Sequence, residues 1–332
     1  MTCIEIAHPH DHLARRFLIE PELMADLLVY YTRKVADKQT IGLLDLKRLE
    51  CKSPVAIDKN LVEGIGDLRF ATTFKGNNRQ SNVYLIFEHQ SKIDQRIRVR
   101  GLNYIIQSYN QFEETHKGKG KLPYPVVVVL YHGKLSWKSL PDMDDLIDIV
   151  PGAESGLLKY TLILIDISVI PPEEFEGHPA LRALLETLQR TSEGELLANF
   201  DRITDYFRSI KRDPRAKGWL HSIVHYAMSV AEIGSELIVK AYSKVFNERE
   251  AQKMAMTTAQ KLLLEGKAEG LAEGETKGKV ETVLTVLRAK FNKVPKGIEK
   301  TIRQKKDPVA LDSWAAHAVH SKTLDEFATV LH

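Results

Sequence analysis

Two uninterrupted apolar runs, Pro125-Val126-Val127-Val128-Val129-Leu130-Tyr131 and Tyr160 to Ile167, leave this chain few ways to fold. A strand with one wet face alternates polar and apolar residues. These runs do not, so each fits a strand covered on both faces by helices. Both are too short to cross a bilayer, and no membrane partner is expected.

The flanking segments supply the cover. Apolar residues recur at helical spacing from Leu13 to Val35, and Pro21 splits that run into two helices. Leu43 to Leu49 stays open between a short strand and a helical turn. Asp67 to Phe74 and Ser81 to Glu88 are β-rich and joined by the polar turn Lys75-Gly76-Asn77-Asn78, which predicts a hairpin. Leu102, Ile105, Ile106, Tyr109 and Phe112 predict a helix over Ile97 to Phe112, ending at the Gly118 and Gly120 loop. After Pro171-Pro172 the pattern is helical throughout. The expected order is α, β-hairpin, α, β, β, then helices: an α/β domain over residues 1–210, a helical extension over 211–290 and a small helical module over 291–332.

Composition narrows the class. With 332 residues, 43% hydrophobic and 27% charged, the chain is globular and longer than one core usually needs. Cys3 and Cys51 are too few for a disulfide framework or a cysteine-based zinc site. Met1 to Phe17 lacks the apolar core of a secretory signal, so a cytoplasmic protein is expected.

Glycine recurs every fourth residue at Gly266, Gly270, Gly274 and Gly278. Four residues advance about 400° around an α-helix, so the glycines of 266–278 form a slowly winding smooth stripe. Each costs a soluble helix up to about 1 kcal/mol relative to alanine, a cost that a packed partner would offset. Two readings stay open: self-association into a homo-oligomer through the C-terminal helical region, or a frayed charged linker.

The chemistry concentrates at the hairpin. Side chains alternate along a strand, so Glu88 and Gln90 share a face, and a hairpin partner can bring Asp67 beside them. Converging carboxylates repel unless a hard cation is shared, and Mg²⁺ (or Mn²⁺) suits a few carboxylates plus waters and a phosphate. Such a metal could activate water and offset charge at phosphorus, which points to phosphodiester hydrolysis. Asp67 taken alone is also an ordinary turn acid, whereas Glu88 follows the apolar run Val83 to Phe87, where an unpaired carboxylate is expensive to bury. Lys92, Arg96, Arg98 and Arg100 follow directly and could meet phosphates, or could form a solvated helix face. The formal net charge of +3 is too small to diagnose a nucleic-acid partner unaided. Gln107, one helical turn beyond Tyr104, is open between an accessory role and a surface one. No Walker loop, HExxH stretch or GxSxG elbow occurs.

Several stretches in order and spacing resemble one family. They are His10-Asp11, Asp67-Leu68-Arg69-Phe70, Glu88-His89-Gln90-Ser91, Arg100 with Tyr104, Pro125 through Tyr131-His132-Gly133, Trp137, Asp166 and the glycine repeat. Together they resemble the recombination-promoting nucleases, also called YhgA-like putative transposases, of the PD-(D/E)XK superfamily. The resemblance implies a PD-(D/E)XK core with a mainly helical C-terminal extension. It implies Asp67 and Glu88 as metal ligands, with His89 contributing at most its backbone carbonyl. Gln90 stands where the superfamily usually has lysine. A neutral amide can orient water or phosphate by hydrogen bonds but brings no positive charge. Asp166 would cap or brace the sheet. The expected substrate is DNA, cut with low sequence specificity in association with recombination or mobile elements. The rival expectation is a weak or inactive DNA-binding or assembly protein that keeps the nuclease fold.

Overall fold

The computed structural model describes residues 9–31, 38–52, 68–76, 83–148, 159–190, 192–305 and 307–331. Helices α1 (Pro9–Leu18), α2 (Pro21–Tyr31) and α3 (Lys38–Leu43) precede strands β1 (Glu50–Lys52), β2 (Leu68–Thr72) and β3 (Val83–Gln90). Helix α4 (Ile97–His116) leads to β4 (Tyr124–Tyr131) and β5 (Thr161–Asp166). Then come α5 (Pro179–Gln189), α6 (Glu193–Ser209), α7 (Ala216–Val230), α8 (Ser235–Tyr242) and α9 (Glu248–Phe291). The last three are α10 (Lys296–Gln304), α11 (Pro308–His320) and α12 (Leu324–Ala328). The chain is an α/β protein, mostly helical around a small sheet.

The five strands are ordered β1-β2-β3-β4-β5. β1 pairs with β2 and β2 with β3 antiparallel, and β3, β4 and β5 pair parallel. The parallel β3–β4 step needs a crossover, which α4 supplies. Alternation along β4 explains its unbroken apolar run. Val126, Val128 and Leu130 join Ile163 and Ile165 against the helices of one layer. Val127, Val129 and Tyr131 join Leu162 and Leu164 against Ile97, Tyr104 and Ile105 of α4 and against Trp137. Val126 to Val129 are at most 1% exposed, so each burial contributes about 1.5–3 kcal/mol.

Contacts divide the chain into two units, Met1–Thr258 and Ala259–His332. In the first, α7 and α8, which fall in the extension expected from sequence, share one core with the sheet. Trp219, Leu220 and Tyr242 are all at most 1% exposed there. Lys244 is nearly sealed between Asp201 (2.9 Å) and Asp205 (3.0 Å) of α6. In the second unit, Val283, Leu284 and Leu287 of α9 pack with Ile302, Leu311, Trp314 and Phe327. The glycine repeat lies within the 44-residue helix α9, and a side chain at Gly274 or Gly278 would meet nothing within 4 Å. Among the described residues no helix is long and apolar enough to cross a membrane.

Arg215 closes the first unit's helical layer. Its guanidinium meets Asp213 and Glu22 at 2.8 Å and Glu20 at 3.5 Å, tying the start of α7 to the α1–α2 turn. Hydrogen bonds from Arg215 hold the Asp213 carboxyl down at about 2. A depressed carboxylate contributes stability that is complete above its unfolded value, near 4, and is lost as pH falls towards 2. Asp213→Asn is therefore expected to flatten the fall in thermal midpoint between about pH 4 and about pH 2, measured by melts against wild type.

Candidate active site

The carboxyl ends of β3, β4 and β5 meet at one edge of the sheet, because parallel strands terminate together. Gln90, the last residue of β3, pairs with Tyr131 of β4, which pairs with Asp166 of β5. Glu88 pairs with Val129. Positions 88 and 90 thus lie on the two strand rows whose β4 members pack under α4. On the other side of β3 the antiparallel ladder runs to Leu68 opposite Phe87. Asp67 lies outside the described residues, as do the Asn77-Asn78 turn and the side chains of Glu88 and His89.

Loops leaving the strands are fastened from below. The Asp166 carboxylate accepts hydrogen bonds from the Trp137 N–H (2.8 Å), the Ser168 N–H (2.9 Å) and the Ser168 hydroxyl (2.6 Å). It joins the loop after β4 to the loop after β5, and brace describes it well. Tyr131 curls back so that its hydroxyl donates to Leu135 O at 2.6 Å, with its ring edge-on to Trp137. Burial, and then the nearby Asp166 charge, raise the Tyr131 phenol above its ordinary range. The His132 N–H donates to Gln90 O (3.1 Å), and a His132 ring nitrogen bonds Leu188 O (2.9 Å). His10 stacks obliquely on His132, with centroids 5.3 Å apart, and bonds the Tyr226 hydroxyl at 3.0 Å. A cavity of about 460 Å³ opens here, lined by His10, Lys92, Tyr131, His132 and Lys134 among others.

Of the residues expected at a phosphate, Lys92 is exposed on this cavity and Arg96 is exposed just before α4. Arg100 bonds Asp94 (3.1 Å) and the Tyr104 hydroxyl (3.2 Å). Arg98 is drawn elsewhere: its Nε donates to Pro141 O (2.5 Å) and its guanidinium pairs with Asp142 (2.7 Å). Gln107 on α4 has its amide oxygen buried with no hydrogen-bond partner. Lys134, Tyr131 and His132 were not given roles from sequence. Their signal is the Tyr131-His132-Gly133 triplet directly after a buried strand, where carboxyl-end loops of α/β sheets form ligand clefts. Among the described residues no group of three or more His, Cys, Asp or Glu could hold a metal ion.

Fold and edge together define an α/β protein with a cleft at the ends of its parallel strands. The family described as "Putative transposase, YhgA-like" matches residues 8–217, and the chain belongs to it. The chain is 24% identical to the "Inactive recombination-promoting nuclease-like protein RpnE" of Escherichia coli K12, over 88% of this chain and 94% of that one. It is 28% identical to "Recombination-promoting nuclease RpnD" of Escherichia coli O157:H7, over 57% of this chain and 70% of the relative. It is 29% identical to "Recombination-promoting nuclease RpnA" of Escherichia coli K12, over 55% and 59%. No solved structure matches the chain.

Proposed function

We propose that this chain is a metal-dependent DNA endonuclease of the PD-(D/E)XK type with low sequence specificity, acting in recombination or on mobile elements. One observation carries the reading. Among the described residues the outermost pair of the β2–β3 ladder at this end is Leu68 opposite Phe87, and Asp67 and Glu88 are the next residues in sequence on the two strands. Antiparallel pairing carried one residue further would set the two positions opposite each other on one face, where two carboxylates could share one ion. Two carboxylates with the His89 backbone carbonyl make an all-oxygen set, the chemistry that Mg²⁺ or Mn²⁺ prefers. Bound there, the ion would lower the pKa of a water and offset charge at the phosphoryl group.

The chain's own residues would do the rest. Gln90 would orient water or a phosphate oxygen by amide hydrogen bonds, and Lys92 and Arg96 would hold the backbone without reading bases. Gln107 would serve the site from α4 if its buried amide oxygen found a water there. The stripe at 266–278 would join copies of the chain into a homo-oligomer, within an extension over 211–290 that follows a nuclease-like domain over 1–210 and precedes a terminal module over 291–332. The name of RpnE, with 94% of its length covered, favours one alternative: a weak or inactive DNA-binding or assembly protein keeping this fold. Incubating supercoiled plasmid with the purified chain separates them. Nicking with Mg²⁺ or Mn²⁺ that EDTA abolishes is expected; DNA retention without nicking in either metal would establish the alternative.

A further inference from the structure

The cavity over Lys92 has a neighbour. A second one, of about 590 Å³, lies over Ser168, Val169 and Arg190, and both are lined by Gly133 and Lys134. They form a groove along the carboxyl ends of β3, β4 and β5, starting beside Gln90. Three cations line it, and Glu195 is the only carboxylate among the described lining residues.

Arg190 is the telling one. Its side chain is 20% exposed, and its ion pair with Glu186 is long, at 3.5 Å. Arg202 holds the same Glu186 oxygen more closely, and the Tyr206 hydroxyl donates to the other oxygen. The Arg190 Nε is buried with no hydrogen-bond partner. The Nε is closed off, but among the described residues the exposed end of the guanidinium is held only by that long pair, and a phosphate oxygen in the groove suits it. Lys92 and Lys134 are exposed and form no ion pair among the described residues. The same cavities are lined by apolar side chains open to solvent: Ile93 at 37%, Leu135 at 72% and Val169 at 59% exposure.

Cations together with exposed apolar faces suit a chain that presents phosphates and base faces together. A single strand does; a duplex hides its base faces in the stack and leaves only phosphates and base edges outside. We propose that this groove holds a single-stranded stretch of polynucleotide leading away from the candidate site. Its phosphates would sit on Lys92, Lys134 and Arg190 and its bases against Ile93, Leu135 and Val169. The identity of the polyanion rests on the nuclease reading; the groove's anion chemistry does not.

The test is binding without cutting. Full-length chain in EDTA is titrated into a labelled oligothymidylate of about 20 nucleotides, longer than a usual single-strand site, and into a duplex of the same length. Lys134→Glu is an exposed change that the fold tolerates; Arg190→Gln is added after a melt shows it folded. The pair is expected to weaken single-strand binding at least about tenfold and the duplex less, and to flatten the salt dependence by about 0.7 for each phosphate left without its cation. Unchanged single-strand affinity for Lys134→Glu overturns the groove, as does equal weakening on duplex and single strand, or no single-strand binding by wild type. Wild type that binds single strands through Lys134 yet never nicks plasmid keeps the groove and removes the nuclease.

Discussion

Glu88→Ala is expected to abolish metal-dependent nicking, a loss of at least about a hundredfold in rate, the scale on which a single electrostatic contributor to a transition state is missed. The strand it leaves should survive. β3 is fixed by backbone pairing to β2 on one side and β4 on the other, so the ladder does not depend on the side chain at position 88. Glu88→Gln keeps the shape and removes the charge, and it should be as inactive if the carboxylate holds a metal. Plasmid nicking in Mg²⁺ and in Mn²⁺, alongside thermal melts of each variant, reads both quantities. Wild-type cutting by a folded Glu88→Ala protein removes Glu88 from the site. Loss of cutting together with the melt would trace the effect to the fold, and the Gln variant then decides.

Gly133→Ala is expected to be the most damaging change of a single methyl group in the first unit. A Cβ at Gly133 would stand 2.6 Å from Ser91 O and inside the Tyr131 phenol. The phenol is held by its bond to Leu135 O, and Ser91 O belongs to backbone next to Gln90, so neither yields cheaply. Overpacking of this kind costs about 1–3 kcal/mol. For a unit of this size that lowers the thermal midpoint by roughly 2–4 °C per kcal/mol. Because Ser91 must move, nicking should fall further than stability alone explains. The control is Gly194→Ala, where an added methyl meets nothing within 4 Å. Equal melting of the two variants would show that Gly133 approaches Ser91 less tightly than these distances require.

What is legible along the chain is whatever repeats locally. The β4 and β5 runs, the α1–α2 break at Pro21, the pairing of β2 with β3 and the helical stretch after Pro172 follow from periodicity and turn chemistry, which short windows contain. β1 is not legible, since Glu50-Cys51-Lys52 is three residues long and charged at both ends, and its pairing with β2 is settled by partners about twenty positions on. Strand order and parallel direction are likewise properties of distant contacts. The same limit splits the candidate site. Glu88 and Gln90 are visible through strand alternation. The cavity wall is not, because His10 and His132 come together from distant regions of the sequence, with Tyr226 holding His10 from a third. Arg98 looks like one more cation in a cluster, yet Asp142, far along the chain, decides what it holds. Charge is legible from sequence; its commitment to a partner is not.

The route from β3 straight into α4 has a consequence for inheritance. Glu88, Gln90, Lys92 and Arg96 all fall within positions 88–96, so most of the proposed chemistry, Asp67 apart, is encoded in one short stretch of gene. The scaffold that supports it is spread over the rest of the first unit, Met1–Thr258. Substitutions at these few positions would erase or restore the proposed site while the buried residues of the core helices stay as they are. On the proposed reading, a lineage would pass between cutting and merely holding DNA without passing through an unfolded ancestor.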